Sequence, residues 1–263
     1  GNSDKWTATI GPKIENYYMY AAPVSIYRPG FHKAFKLGSL SGAFGASTKT
    51  GVGVKYVGDN GFAASSNVVS SSSGTAGFLT NEDEYKWDTM LAYSQDQYHV
   101  SLSMSQQHED WSSFSYYATD AAVAVEEDSN ATAYAARAYW RPEESGSAMP
   151  EVSVGYDIIS LEGQTGNSVK EASSYFVGLG WPDMFQDSDY IGIGFGQPLK
   201  VDETANGAAA DDAGLSPFLW EVSYSFKPND SITVIPAVFG GTDIQSSTDE
   251  DIFGAAVTTK FKF

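Results

Sequence analysis

Five basic residues, Lys13, Arg28, His32, Lys33 and Lys36, fall within one stretch, 12–49, of a chain whose formal net charge is −18. They alternate with Tyr17, Tyr18, Tyr20, Tyr27, Phe31 and Phe35. Cations beside aromatic rings suit anions and the faces of sugar rings, and rings of Lys and Arg lining a passage favour anions. A connection of this length without its own secondary structure is usually functional or disordered. The acidic balance speaks against a nucleic-acid partner, because phosphate backbones require a positive surface. Catalytic patterns are lacking. His32, His99 and His108 stand apart without ligand spacing, and neither GxSxG, a P-loop nor HExxH occurs. There is no cysteine, hence no disulfide, thiolate metal site or thiol nucleophile. The residues imply no enzyme and no cofactor.

The elements that must position these residues read as strands. Alternation of apolar and polar residues recurs in about twelve segments: 4–11, 50–57, 61–70, 84–94, 97–105, 131–141, 150–159, 172–181, 189–197, 218–227, 230–239 and 252–263. In each, one face is aliphatic and aromatic. The other is small, polar or charged, and carries Lys55, Lys86, Asp88, Arg137, Arg141, Glu151, Asp157, Glu221, Lys260 and Lys262. No run of about 18 apolar residues exists, so a transmembrane helix is excluded. A membrane β-barrel is not, since its strands need only about ten alternating residues.

A soluble sandwich and a membrane barrel share this alternation; their loops differ. The joins "GDNG", "SQDQ" and "KPND" are short, and those at 142–149 and 182–188 a little longer. The connections 12–49, 71–83, 106–130, 160–171, 198–217 and 240–251 are long. Long and short therefore alternate, as expected for an up-and-down barrel with short turns on one rim and long loops on the other. The expected fold is all-β: one transmembrane antiparallel barrel domain over 1–263, with 12–49 folded into its lumen. The polar-face charges would then line the interior. The acidic stretches "TNEDE", "VEEDSN", "DETANGAAADD" and "STDED" would lie on the long-loop rim, where they could bridge Mg²⁺ or Ca²⁺ to lipopolysaccharide.

The stretches "TATIGPKIENYYMYAAPVSIY" and "TGVGVKYVGDNGFAASSNVVS" resemble the major outer-membrane porins of cyanobacteria, relatives of the carbohydrate-selective porins. The terminal Phe261 and Phe263 resemble the C-terminal signal read by the barrel-assembly machinery. The resemblance implies an outer-membrane location, passive diffusion of small hydrophilic solutes and ions, and a homotrimer. It also implies a barrel of about sixteen strands behind a surface-layer-homology domain. This chain opens on "DKWTATIG", so that domain and the first strands are expected to precede it. Two other readings compete: a secreted sugar-binding β-sandwich, and a barrel enzyme or adhesion protein.

Overall fold

The computed structural model describes residues 4–28, 30–32, 35, 48–109, 129–207, 217–243 and 251–262. Twelve strands form one antiparallel sheet in chain order. They are β1 (Trp6–Glu15), β2 (Thr48–Val57), β3 (Phe62–Ser70), β4 (Tyr85–Ser94), β5 (Tyr98–His108), β6 (Ala131–Trp140), β7 (Glu151–Leu161), β8 (Val169–Pro182), β9 (Tyr190–Thr204), β10 (Phe218–Asn229), β11 (Ile232–Thr242) and β12 (Ile252–Phe261). β1 and β12 are its edges. A 3-10 turn, Asn16–Met19, follows β1. No described helix is long and apolar enough to cross a membrane.

The alternation sets the pairing. On β4, Lys86, Asp88, Met90 and Ala92 share one buried face, while Trp87, Leu91 and Tyr93 are exposed on the other. A slip of one residue would exchange these faces, so the register is strongly specified. β4 pairs with β5 without interruption from Tyr85↔His108 to Ser94↔His99.

Two expectations need correction. The connection read as 12–49 begins only after Glu15 and ends before Thr48, because β1 continues through an irregularity between Gly11 and Ile14. Beyond it, Ile14 turns onto the buried face with Met19 and Val69. The length alternation is also weaker than expected. β8 and β9 are the longest strands and leave only 162–168 between β7 and β8, shorter than the 141–150 join on the opposite rim. Buried Val169, Ala172, Leu199 and Val201 pack with Ile159 and Leu161 and carry the strands through what reads as loop. Pro198 is accommodated where the β8–β9 register shifts between Ser173 and Tyr175, as expected for proline inside a sheet.

Residues 16–28, 30–32 and 35 lie across the buried face. The Ala21 N–H donates to Ser65 Oγ on β3, and the Ile26 N–H to Ser153 Oγ on β7. The segment thus runs over the sheet from β3 to β7 in an extended course.

Candidate functional site

The two faces are inverted relative to a soluble β-protein. The buried one carries Ser65, Asn67, Lys86, Asp88, His99, Ser105, Arg137, Asp157 and Glu221. The exposed one carries Trp6, Ile10, Val54, Trp87, Leu91, Leu102, Tyr134, Tyr156, Val257 and Phe261, with Leu102 at 66% and Val257 at 68% exposure. Tyr134, Tyr156 and Tyr175 lie mid-strand, and other aromatics pair near the strand ends. At the short-turn rim stand Trp6 and Tyr56 (5.0 Å between ring centroids), Tyr56 and Phe62 (6.4 Å), and Tyr93 and Tyr98 (6.2 Å). Toward the other rim stand Phe195 with Phe218 and Trp220 with Phe253.

Burying ions requires partners. On β4, Lys86 Nζ lies 3.0 Å from Asp88 Oδ2, both 1% exposed. The crossing segment completes this pair: Asn16 Nδ2 (3.2 Å) and the Tyr20 hydroxyl (2.8 Å) donate to the same Asp88 oxygen. Burial first, and then the Asp88 charge, push the Tyr20 phenol well above its ordinary range. Arg137 on β6 pairs with Asp157 on β7, both fully buried. Gly155 makes room for that guanidinium, since a Cβ there would lie 2.9 Å from it.

Glu221 on β10 finds its partners in the segment instead. It accepts the Tyr27 hydroxyl at 2.7 Å and the N–H groups of Phe31 (2.8 Å) and His32 (2.7 Å). Burial first, and then the Glu221 charge, raise the Tyr27 phenol far above its usual range. The Tyr27 ring rests on glycines. Cβ atoms at Gly178 and Gly194 would come within 2.6 and 2.7 Å of it, and one at Gly192 would come within 2.7 Å of the Arg28 carbonyl oxygen. The glycines of β8 and β9 thus form a groove for the segment.

The expected basic cluster is dispersed. Lys13 lies exposed within β1. Arg28 stacks over Tyr190 on β9, its Cζ 4.8 Å from the ring centroid. His32 packs edge-on against Phe35 and Phe239, with Nε2 3.1 Å from the Trp220 carbonyl oxygen. The three are thus set against different strands, Lys13 within β1, Arg28 on β9 and His32 against β10. Lys33, Lys36 and Phe263 lie outside the described residues.

Lys86, Asp88, Arg137, Asp157 and Glu221 lie on the buried face, closed off by one another and by the segment. Lys55 is half-buried and donates to the Tyr18 carbonyl oxygen at 3.0 Å. Arg141 is exposed and donates to the Asp96 carbonyl oxygen at 2.7 Å. Glu151 is half-buried, and Lys260 and Lys262 are exposed near the end of β12. Phe261 points to the apolar side. In "TNEDE", Asp83 accepts Ser70, Ser72 and the Leu79 N–H, and Glu84 accepts Ser71, so these carboxylates shape the loop. The acidic residues of "VEEDSN", "STDED" apart from Asp251, and the end of "DETANGAAADD" lie outside the described residues. No group of three or more potential metal ligands occurs among the described residues.

Sequence reasoning missed the anchoring of the segment. The available signal was glycine on one face of "YIGIGFGQ" beside a tyrosine-rich connection: a strip without side chains needs a neighbour to fill it. The His99 ring is buried, stacks on Tyr139 at 4.7 Å and hydrogen-bonds Ser94 and Ser101.

No family model matches the chain, and no curated protein matches it.

Proposed function

We propose that this chain forms the barrel of an outer-membrane porin, through which small hydrophilic solutes and ions diffuse passively. The observation that carries the reading is the inversion of the faces. In a lipid bilayer, exposed Trp, Leu, Val and Phe meet acyl chains, and backbone polar groups are satisfied between strands. The aromatic groups at both strand ends match the interfacial girdles of such barrels. A soluble sandwich would bury the apolar face and solvate the polar one, the reverse of this arrangement.

The segment at 16–28, 30–32 and 35 is the internal constriction. It fills the interior against β3–β10, and the passage runs beside it, along β11, β12 and β1, where inward residues such as Thr7, Thr9 and Thr258 keep solvent access. In lipid, the edges of β1 and β12 must be paired, with each other or with further strands, as in a barrel of about sixteen. The resemblance to cyanobacterial porins supports the outer-membrane location, a homotrimer in which Ala136 and Ala138 allow close approach of barrels, and insertion by the barrel-assembly machinery. Contact with lipopolysaccharide, bridged by Mg²⁺ or Ca²⁺ at the acidic rim, belongs to the same reading.

Brominated lipids test the lipid-facing surface. Protein refolded into such vesicles should lose most of its Trp87 emission, isolated by replacing the other tryptophans. Unquenched emission, together with solubility after extraction without detergent, would leave the sandwich. Orientation is checked on intact cells: an impermeant thiol reagent should label Asn81→Cys and spare Asp230→Cys.

A further inference from the structure

Between β9–β12 and the crossing segment, at the short-turn end of the buried face, lies a cavity of about 520 Å³. Arg28, Lys227 and Lys260 line it, with Tyr190, Ser225 and Thr233 between them. The cations are held by the fold. Thr233 on β11 pairs with Lys260 on β12, and Lys227 lies just beyond the β10–β11 pair Phe226↔Val234. Two lysines two strands apart, ~10 Å along the sheet, thus flank a threonine hydroxyl. Arg28 approaches from the segment, its Cζ over the Tyr190 ring. Among the described residues, none of the three cations makes an ion pair with a carboxylate.

The carboxylates facing the cavity are engaged elsewhere. Asp189 accepts three backbone N–H groups, from Met184, Phe185 and Gln186, and the Tyr224 hydroxyl. Asp183 accepts the Ser188 N–H. Glu151 lies within electrostatic range of Arg28 but lines the neighbouring cavity. Tyr190, 4% exposed, lines the cavity beneath Arg28 and fixes that side chain against the sheet.

We propose that this cavity is a binding site for a phosphate-type oxyanion, either inorganic phosphate or the phosphate group of a small hydrophilic monoester. Arg28 offers a planar fork to two oxygens, and the lysines supply charge from the sheet. The cavity leaves room beside the anion for a substituent of sugar size. As the identity of a permeating solute this rests on the porin reading; as a binding site it does not.

The test is a titration of the detergent-solubilised, folded protein with inorganic phosphate, followed by ³¹P line broadening, against chloride at equal ionic strength. Saturable phosphate binding is expected, weakened about tenfold by Arg28→Gln and several-fold by Lys227→Gln or Lys260→Gln. Lys170→Gln, which removes the same charge far from the cavity, should change nothing. Retained heat-modifiable migration on gels shows that each variant is folded. Absence of saturable binding by the folded wild type, or equal loss in Lys170→Gln, overturns the site. The two readings fail separately. Phosphate binding without conductance across a planar bilayer sinks the porin, and conductance without phosphate binding sinks the site.

Discussion

The buried face of β4–β7 and that of β9–β10 solve one problem in different ways. Both take charges out of water. On β6 and β7 the sheet neutralises itself, because Arg137 and Asp157 come from adjacent strands. On β10 the sheet presents Glu221 alone, and the segment completes it with one phenol and two N–H groups. The first arrangement is part of the wall. The second is a latch, and a latch can open while the wall stands.

Breaking the wall should have the largest effect. Arg137→Leu strands the Asp157 carboxylate in the interior and should cost about 3–5 kcal/mol. Urea unfolding in detergent measures this, and adding Asp157→Leu should recover most of the loss. Releasing the latch comes next. Glu221→Ala removes three hydrogen bonds to a charged group and should cost about 3 kcal/mol. The distinguishing outcome is limited proteolysis: the variant should be cut within 20–35 while the strands stay protected.

Filling the glycine groove is milder. Gly194→Val drives methyl groups into the Tyr27 ring and should cost about 1–3 kcal/mol, with the same proteolytic exposure and no change at β4–β7. The smallest effect concerns the 183–189 turn. Burial works against ionised Asp189, but the hydrogen bonds from Tyr224 and the three N–H groups outweigh it and hold the carboxyl below its ordinary value. A depressed carboxyl stabilises the fold at every pH above the ordinary carboxylate range, and the contribution fades as pH falls through the lowered value. Wild type should therefore exceed Asp189→Asn in stability at neutral pH, and the gap should narrow below about pH 4.

The strands were legible because a two-residue period runs through most of their length, broken only at irregularities such as those in β1 and β8. The expected 84–94 is Tyr85–Ser94 in the structure, and the expected 131–141 is Ala131–Trp140. The partition of side chains between faces was equally legible, Lys86 and Asp88 on one side and Trp87 and Leu91 on the other. Depth was not. Alternation says which way Glu221 points but not what meets it there, since its partners lie some 190 residues earlier in the chain. Local charge density also misled: Lys13, Arg28 and His32 share one stretch of sequence, yet Lys13 stays within β1 while the crossing segment sets Arg28 on β9 and His32 against β10. The glycines at 178, 192 and 194 could have signalled the groove, but nothing local names Tyr27 as its occupant.

Single-channel recording of the purified protein in planar bilayers, wild type beside Glu221→Ala, tests the central claim most directly. That claim is a lipid-embedded barrel whose passage is narrowed by a segment latched at Glu221. Wild type should give discrete conductance steps, and the variant steps of clearly larger amplitude or frequent transitions to a larger state. Absence of conductance from both proteins, folded and inserted, would contradict the account.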